Sequence, residues 1–168
     1  LLKKVPYLDF VFGPDNIGKL PEIISRVEQE RERVVETAWV DSEEYVFPRA
    51  DPGSSAGKVS EFVTVMKGCD NVCSFCVVPH TRGREVSRPF VEILQEIGSL
   101  TGVGVREVTL IGQNVNSYRG GISFAELLLR VAQVPGIERV RFTTSHPHDL
   151  SDALIDAFRA GSEDGGVD

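Results

Sequence analysis

This sequence predicts an α/β fold whose main part is a parallel sheet, and three observations carry that prediction. Between residues 59 and 160, an apolar strand-like run followed by an amphipathic helical stretch occurs three times. Each helical stretch places its apolar residues on a single face, ready to lie on a sheet. Strands joined through helices in this way run parallel, with right-handed crossovers. A smaller strand–helix–strand segment precedes them within residues 1–40.

Residues 8–12 (L-D-F-V-F) form a short apolar run stopped by Gly13-Pro14, which reads as a buried strand. Leu20, Ile23, Ile24 and Val27 have i, i+3, i+4, i+7 spacing and predict a helix started near Pro21. Its mixed-charge end, 28–33, is a solvated face. Residues 34–40 read as another strand. From 41 to 58 the chain turns to acids, prolines, glycines and serines, the composition of a linker.

Residues 62–66 (F-V-T-V-M) then make the first strand of the repeat. Pro89 opens a helix striped by Phe90, Ile93, Leu94, Ile97 and Leu100. Residues 107–111 are the second strand. Ser123-Phe124-Ala125-Glu126 is a capping box for a helix striped by Phe124, Leu127, Leu128 and Val131. Residues 139–144 are the third strand, and Leu150, Leu154, Ile155 and Phe158 stripe the last helix. Residues 161–168 form a polar, Gly-rich tail.

Reactive groups in such sheets gather at the C-terminal ends of strands. Three notable segments fall there: the loop after the first strand, Gly112-Gln113-Asn114 after the second, and Ser145-His146-Pro147 after the third. The first loop holds every cysteine in the chain, Cys69, Cys73 and Cys76, in the pattern C-x3-C-x2-C. No disulfide framework is available to three crowded thiols without distant partners. Soft thiolates packed this closely suit a thiophilic metal, and iron–sulfur clusters are held by such ligands. With three thiolates, a [4Fe-4S] cube keeps one iron without a protein ligand. Two plainer readings stand beside this one. Cys69, Cys73, Cys76 and His80 make a formal Cys3His zinc set, although structural zinc sites usually split their ligands into two separated pairs. Three reduced, buried cysteines acting as small hydrophobes are the other, in a stretch rich in Gly, Asp and Asn.

Composition bounds the rest. The chain has 168 residues, 41% of them hydrophobic, enough for one good core or two small ones. No apolar run approaches the roughly 20 residues that span a bilayer. The start, Leu1-Leu2-Lys3-Lys4, is too short for a signal-peptide core and lacks an initiator Met, so the chain is expected to begin within a longer protein. Free thiols favour a reducing cytoplasm. A net charge of −7 does not by itself indicate a nucleic-acid binder. Arg82, Arg84 and Arg88 run the other way beside the cysteines, as phosphate or carboxylate contacts or as ordinary partners of nearby acids. His80, His146 and His148 each neighbour a proline; each could serve as a base or ligand, and the plainer reading is exposed loop histidines without a catalytic role. Ser145 reads as a ligand contact or, more simply, as a cap for the last helix.

The run V-M-K-G-C-D-N-V-C-S-F-C-V-V-P-H-T-R-G-R-E-V-S-R-P at 65–89 resembles the methylthiotransferase branch of radical S-adenosylmethionine (SAM) enzymes. The resemblance covers most of residues 5–158. I-G-Q-N-V-N-S-Y at 111–118 is most similar to the members that modify tRNA N6-(dimethylallyl)adenosine, next to the anticodon, to its 2-methylthio derivative. Sister branches act on threonylcarbamoyl-adenosine or a ribosomal protein.

The resemblance implies a partial (βα) barrel of about six units, of which this chain holds about three. The expected divisions are 1–40, the end of an α/β N-terminal methylthiotransferase domain; 41–58, a linker; 59–160, the first half of the radical SAM domain; and 161–168, the tail. It further implies that Cys69, Cys73 and Cys76 ligate a [4Fe-4S] cluster. SAM would chelate the open iron, and reductive cleavage would yield a 5′-deoxyadenosyl radical. Phe75 would lie near the adenine, or pack the loop. Gln113 and Asn114 stand where the superfamily binds the SAM amino acid moiety, but they depart from its common Gly-Gly-Glu; the plainer role is a loop-capping amide. Implied partners are the tRNA anticodon stem-loop and an electron donor such as flavodoxin or ferredoxin, with no membrane. The intact enzyme is expected to carry a second cluster in its N-terminal domain and an RNA-binding module. This piece is expected to be inactive alone. A non-catalytic metal-binding fragment, stabilised by zinc or a cluster, is the reading from a different class.

Overall fold

The structure, a computed structural model, describes residues 4–40 and 45–163. The chain divides into two compact units, Leu1–Pro48 and Arg49–Asp168. The division falls inside the segment read as linker.

In the first unit, β1 (Phe10–Phe12) and β2 (Val34–Glu36) pair in parallel, Phe10 opposite Val34. They are joined by a 3-10 turn over Pro14–Lys19 and by α1 (Leu20–Glu30). The sequence reading missed the 3-10 turn, taking Gly13-Pro14 only as a stop. Pro14 in fact opens it, because the first position of a helical turn needs no N–H donor. β1 is half-buried rather than buried, and β2 stops at Glu36, short of residue 40. Asn16 is fully buried, and its Nδ2 donates to the carbonyl of Ala38 at 2.9 Å. The backbone beyond β2 is thus held by a side chain instead of a ladder.

The second unit opens on α2 (Pro52–Ser55), a single turn within the segment read as linker. Asp51 caps it, its carboxylate accepting from Gly53 N and Ser54 N. Then come β3 (Ser60–Thr64), β4 (Met66–Lys67), α3 (Val78–Thr81), β5 (Val86–Ser87), α4 (Phe90–Thr101), β6 (Glu107–Ile111), α5 (Phe124–Ala132), β7 (Arg139–Phe142) and α6 (Asp152–Glu163). The main sheet has order β3-β6-β7 and is parallel throughout.

Side-chain alternation gives this sheet two unlike faces. Val63, Val108, Leu110 and Val140 are fully buried and share a core with Ile93, Ile97 and Leu100 of α4, Leu127, Leu128 and Val131 of α5, and Leu154 of α6. On the other face Phe62 is exposed, and Glu107 pairs with Arg139 at 3.1 Å and Arg141 at 3.4 Å. The three helices therefore lie against one side of the sheet.

Further details of this unit correct the sequence reading. The run at 62–66 does not stay in one strand: β3 ends at Thr64, and Met66–Lys67 turns away to pair antiparallel with Val86–Ser87. That two-residue ladder closes the cysteine loop at its base. The last helix runs to Glu163, past residue 160, and Leu150 precedes it as an exposed residue. Ser151, not Ser145, caps α6, its Oγ accepting from Leu154 N at 3.2 Å.

Candidate functional site

Three loops leave the C-terminal ends of β3, β6 and β7 and meet one another. The cysteine loop begins at Gly68, whose φ of +73° suits glycine; a Cβ there would stand 2.1 Å from the Arg84 carbonyl oxygen. Backbone bonds shape the rest of the loop: Cys69 N donates to Gly83 O at 3.2 Å, and Cys76 N to Cys73 O at 3.0 Å. Asp70 Oδ1 accepts from Arg84 Nε and from Glu85 N, each at 3.1 Å, tying the outgoing strand to the incoming one.

The side chains of the other two loops reach into this one. Gln113 Oε1 accepts the Gly68 N–H at 2.6 Å. Asp149 Oδ2 accepts from Asn114 Nδ2 at 2.7 Å and from Asn71 Nδ2 at 3.1 Å, so one carboxylate joins all three strand ends. Burial opposes its charge, but the bonds from Asn114, Asn71 and His148 outweigh that and hold its carboxyl below the usual range. His146 Nε2 lies 3.5 Å from Cys73 Sγ. Asn71, Asn116 and Asp149 were not singled out from sequence, where the one signal for Asp149 is its position after the third strand. His146 was named in the segment after that strand but read as having no catalytic role.

A polar cleft of about 320 Å³ opens beside the cysteine loop, lined by Asp70, Asn71, Glu85, Asn114, Ser117, Arg119, His148 and Asp149. Burial pushes the Glu85 carboxyl up, and the charges of Asp70 and Asp149 add to this against a 2.5 Å hydrogen bond from Ser117 Oγ. Asn114 is 2% exposed, and its Oδ1 is buried without a hydrogen-bond partner among the described residues. A larger cavity, about 660 Å³, adjoins the cleft and shares Ser117, Arg119, His148 and Asp149 with it.

Cys69 is buried, while Cys73 and Cys76 are partly exposed. Burial pushes the Cys69 thiol up, and the charges of Cys76, Glu85 and Cys73 push the same way, against a backbone bond from Asn71. Three thiolates this close repel one another, and a cationic iron core relieves that repulsion. Among the described residues no three His, Cys, Asp or Glu side chains converge as ligands of a single ion. The Cys3His zinc set with His80 is therefore not gathered here. A cluster makes a different demand, because three thiolates bind three separate irons and need not share one centre. The donor set fits that group.

The other sequence candidates take several different roles. Phe75 is 92% exposed, so its ring is not packed into the loop. Gln113 and Asn114 both bind other loops, as described. Arg88 is fully buried against Glu96 at 2.5 Å, the ordinary-partner reading, and Arg84 holds Asp70; Arg82 is exposed. His80 and His148 are exposed, but His146 is half-buried against Cys73, which corrects its reading as an exposed loop residue.

A family model described as the Radical SAM superfamily matches residues 63–164. The chain belongs to that superfamily. A [4Fe-4S] cluster and SAM are the cofactors of this family. Similar relatives include the tRNA-2-methylthio-N(6)-dimethylallyladenosine synthases of Myxococcus xanthus (strain DK1622), 82% identical over 95% of this chain, and of Anaeromyxobacter sp. (strain K), 71% identical over 95%. That of Syntrophotalea carbinolica is 53% identical over 94%. The chain spans 34% to 37% of the length of these relatives. Among the described residues no helix is long and apolar enough to cross a membrane.

Proposed function

We propose that Cys69, Cys73 and Cys76 ligate the [4Fe-4S] cluster of a radical SAM tRNA methylthiotransferase acting on N6-(dimethylallyl)adenosine. The observation that carries this is the anchoring of the three-thiol loop by all three strand ends of a parallel sheet. The names of the relatives favour the dimethylallyladenosine branch over its sisters. When bound, the cluster and SAM supply one-electron reductive cleavage of the sulfonium. The chain's own residues hold the loop: Gln113 at its start, Asp70 across its ends, and Asp149 through Asn71. Asn114 Oδ1, buried and unpartnered, is the acceptor we assign to the SAM amino group, and exposed Phe75 the surface for its adenine.

In this reading residues 59–160 form the first half of a (βα) barrel, with the polar sheet face of Glu107, Arg139 and Arg141 turned inward. Residues 1–40 are the end of the N-terminal methylthiotransferase domain, and 41–58 connect the two. The tRNA anticodon stem-loop, a flavodoxin- or ferredoxin-type donor and a reducing cytoplasm complete the proposal.

Anaerobic reconstitution with iron and sulfide counting tests the ligand assignment. One cluster, four irons, per chain is expected for these residues, and single Cys→Ala variants should lose it. The full-length protein should cleave SAM to 5′-deoxyadenosine under reduction. A tightly bound zinc and no SAM cleavage would overturn the assignment.

A further inference from the structure

The hydrogen bonds of His146 fix which of its nitrogens carries the proton. Nδ1 accepts the backbone N–H of His148 at 3.1 Å, so in the neutral ring the proton sits on Nε2. Nε2 in turn lies 3.5 Å from Cys73 Sγ, within hydrogen-bond reach of a large sulfur acceptor. Capping the short 3-10 turn at Pro147–Asp149 accounts for Nδ1 alone and leaves the Nε2–H unexplained.

Two further features hold the ring there. Asn116 brackets the His146 backbone, donating Nδ2 to its carbonyl at 2.7 Å and accepting its N–H on Oδ1 at 2.9 Å. Two residues upstream, Thr144 has φ of +64°, a conformation that a β-branched residue holds only where its surroundings impose it. Its Oγ1 donates to Gly112 O at 2.6 Å, and its carbonyl accepts from Val115 N at 2.9 Å. The loop after β7 is thus fixed on the loop after β6, and His146 is presented to Cys73 from a rigid base.

We infer that His146 donates its Nε2–H to the sulfur of Cys73 and so raises the reduction potential of the cluster. This rests on the reading of Cys73 as a cluster ligand. Reduction adds negative charge that spreads onto the thiolate sulfurs, and a donor aimed at one of them stabilises the more negative state. His146 is a positioning and tuning residue, with Asn116 as its support.

The test uses the full-length protein, anaerobically reconstituted, with the cluster signal assigned as the one lost in Cys73→Ala. His146→Leu should keep its iron and shift that cluster's midpoint downward by about 59 mV, a tenfold change in a one-electron equilibrium. His146→Gln, which can still donate an N–H, should recover most of the shift. An unchanged midpoint in His146→Leu overturns this inference and leaves the ligand reading standing. Iron binding unaffected by Cys73→Ala overturns the ligand reading, and this inference with it. Should His146→Leu fail to hold iron, pulsed EPR of the reduced wild-type protein with 15N-histidine decides. A weak 15N coupling that vanishes in His146→Gln supports the bond, and its absence from the wild type overturns it.

Discussion

The side-chain oxygen of Gln113 accepts the backbone N–H of Gly68 at 2.6 Å, tying the start of the cysteine loop to the end of β6. Gly68 is buried, so this N–H has no water to turn to when the amide is removed. Gln113→Leu should therefore cost about 1–3 kcal/mol, the range for a buried donor left without a partner. Gln113→Glu keeps an acceptor and should cost less. Denaturant unfolding of both variants gives the ordering, and iron retention against a chelator should track it. A Gln113→Leu protein as stable as wild type would refute this role.

How far the sequence carried is clearest at particular residues. The strand–helix repeat was legible because Ile93, Ile97 and Leu100, or Leu127, Leu128 and Val131, obey a local 3.6-residue period that burial then realises. The cysteine loop was legible because its three like residues are adjacent in the chain. The β4–β5 ladder was not, since two residues per strand leave no period to read. His146 reaches Cys73 across 73 positions, and nothing local marks either residue as the other's neighbour. Sequence left Arg88 open between a site cation and a partner of nearby acids, because charge alone is visible there; its full burial against Glu96 depends on α4 folding over it.

Gly68→Ala should prevent the loop from closing. Its new Cβ would meet the Arg84 carbonyl at 2.1 Å and the Gly83 oxygen at 2.7 Å, both backbone atoms that cannot swing aside. The φ of +73° adds about 1–3 kcal/mol of strain for a residue with a side chain. Gly57→Ala is the control: φ is similar at +83°, but among the described residues nothing lies within 4 Å of the new Cβ. Cluster content after reconstitution should fall sharply in the first variant and stay near wild type in the second. Equal retention in both would remove the steric argument.

The Arg88–Glu96 pair should show strong coupling. Arg88 is fully buried, Glu96 is 7% exposed, and their closest atoms are 2.5 Å apart. Arg88→Met leaves a buried carboxylate whose other oxygen already accepts from Ala50 N at 2.8 Å. Breaking one side of such a pair costs about 3–5 kcal/mol. The double variant Arg88→Met, Glu96→Leu removes both charges and should be less destabilised than the sum of the singles. Urea unfolding of the four proteins in the cycle measures this, and strict additivity would deny the coupling.

The bond between Ser55 and Glu61 should make stability depend on pH with a definite sign. Ser55 Oγ donates to Glu61 Oε2 at 2.6 Å, and Lys58 Nζ donates to the same oxygen at 2.9 Å; together these bonds hold the Glu61 carboxyl below its ordinary value against the effect of burial. A carboxyl lowered on folding contributes stability above its unfolded value, about 4.3 for glutamate, and loses it as pH falls through the lower folded value. Ser55→Ala removes the first and largest of these bonds. It should cost about 1 kcal/mol or somewhat more at neutral pH, as bonds to charged acceptors do. The gap to wild type should then narrow as acid protonates Glu61 in both proteins. Chemical denaturation at neutral pH and well below the carboxylate range tests this directly. A gap of the same size at both would mean that Ser55 acts through packing and not through the charge of Glu61.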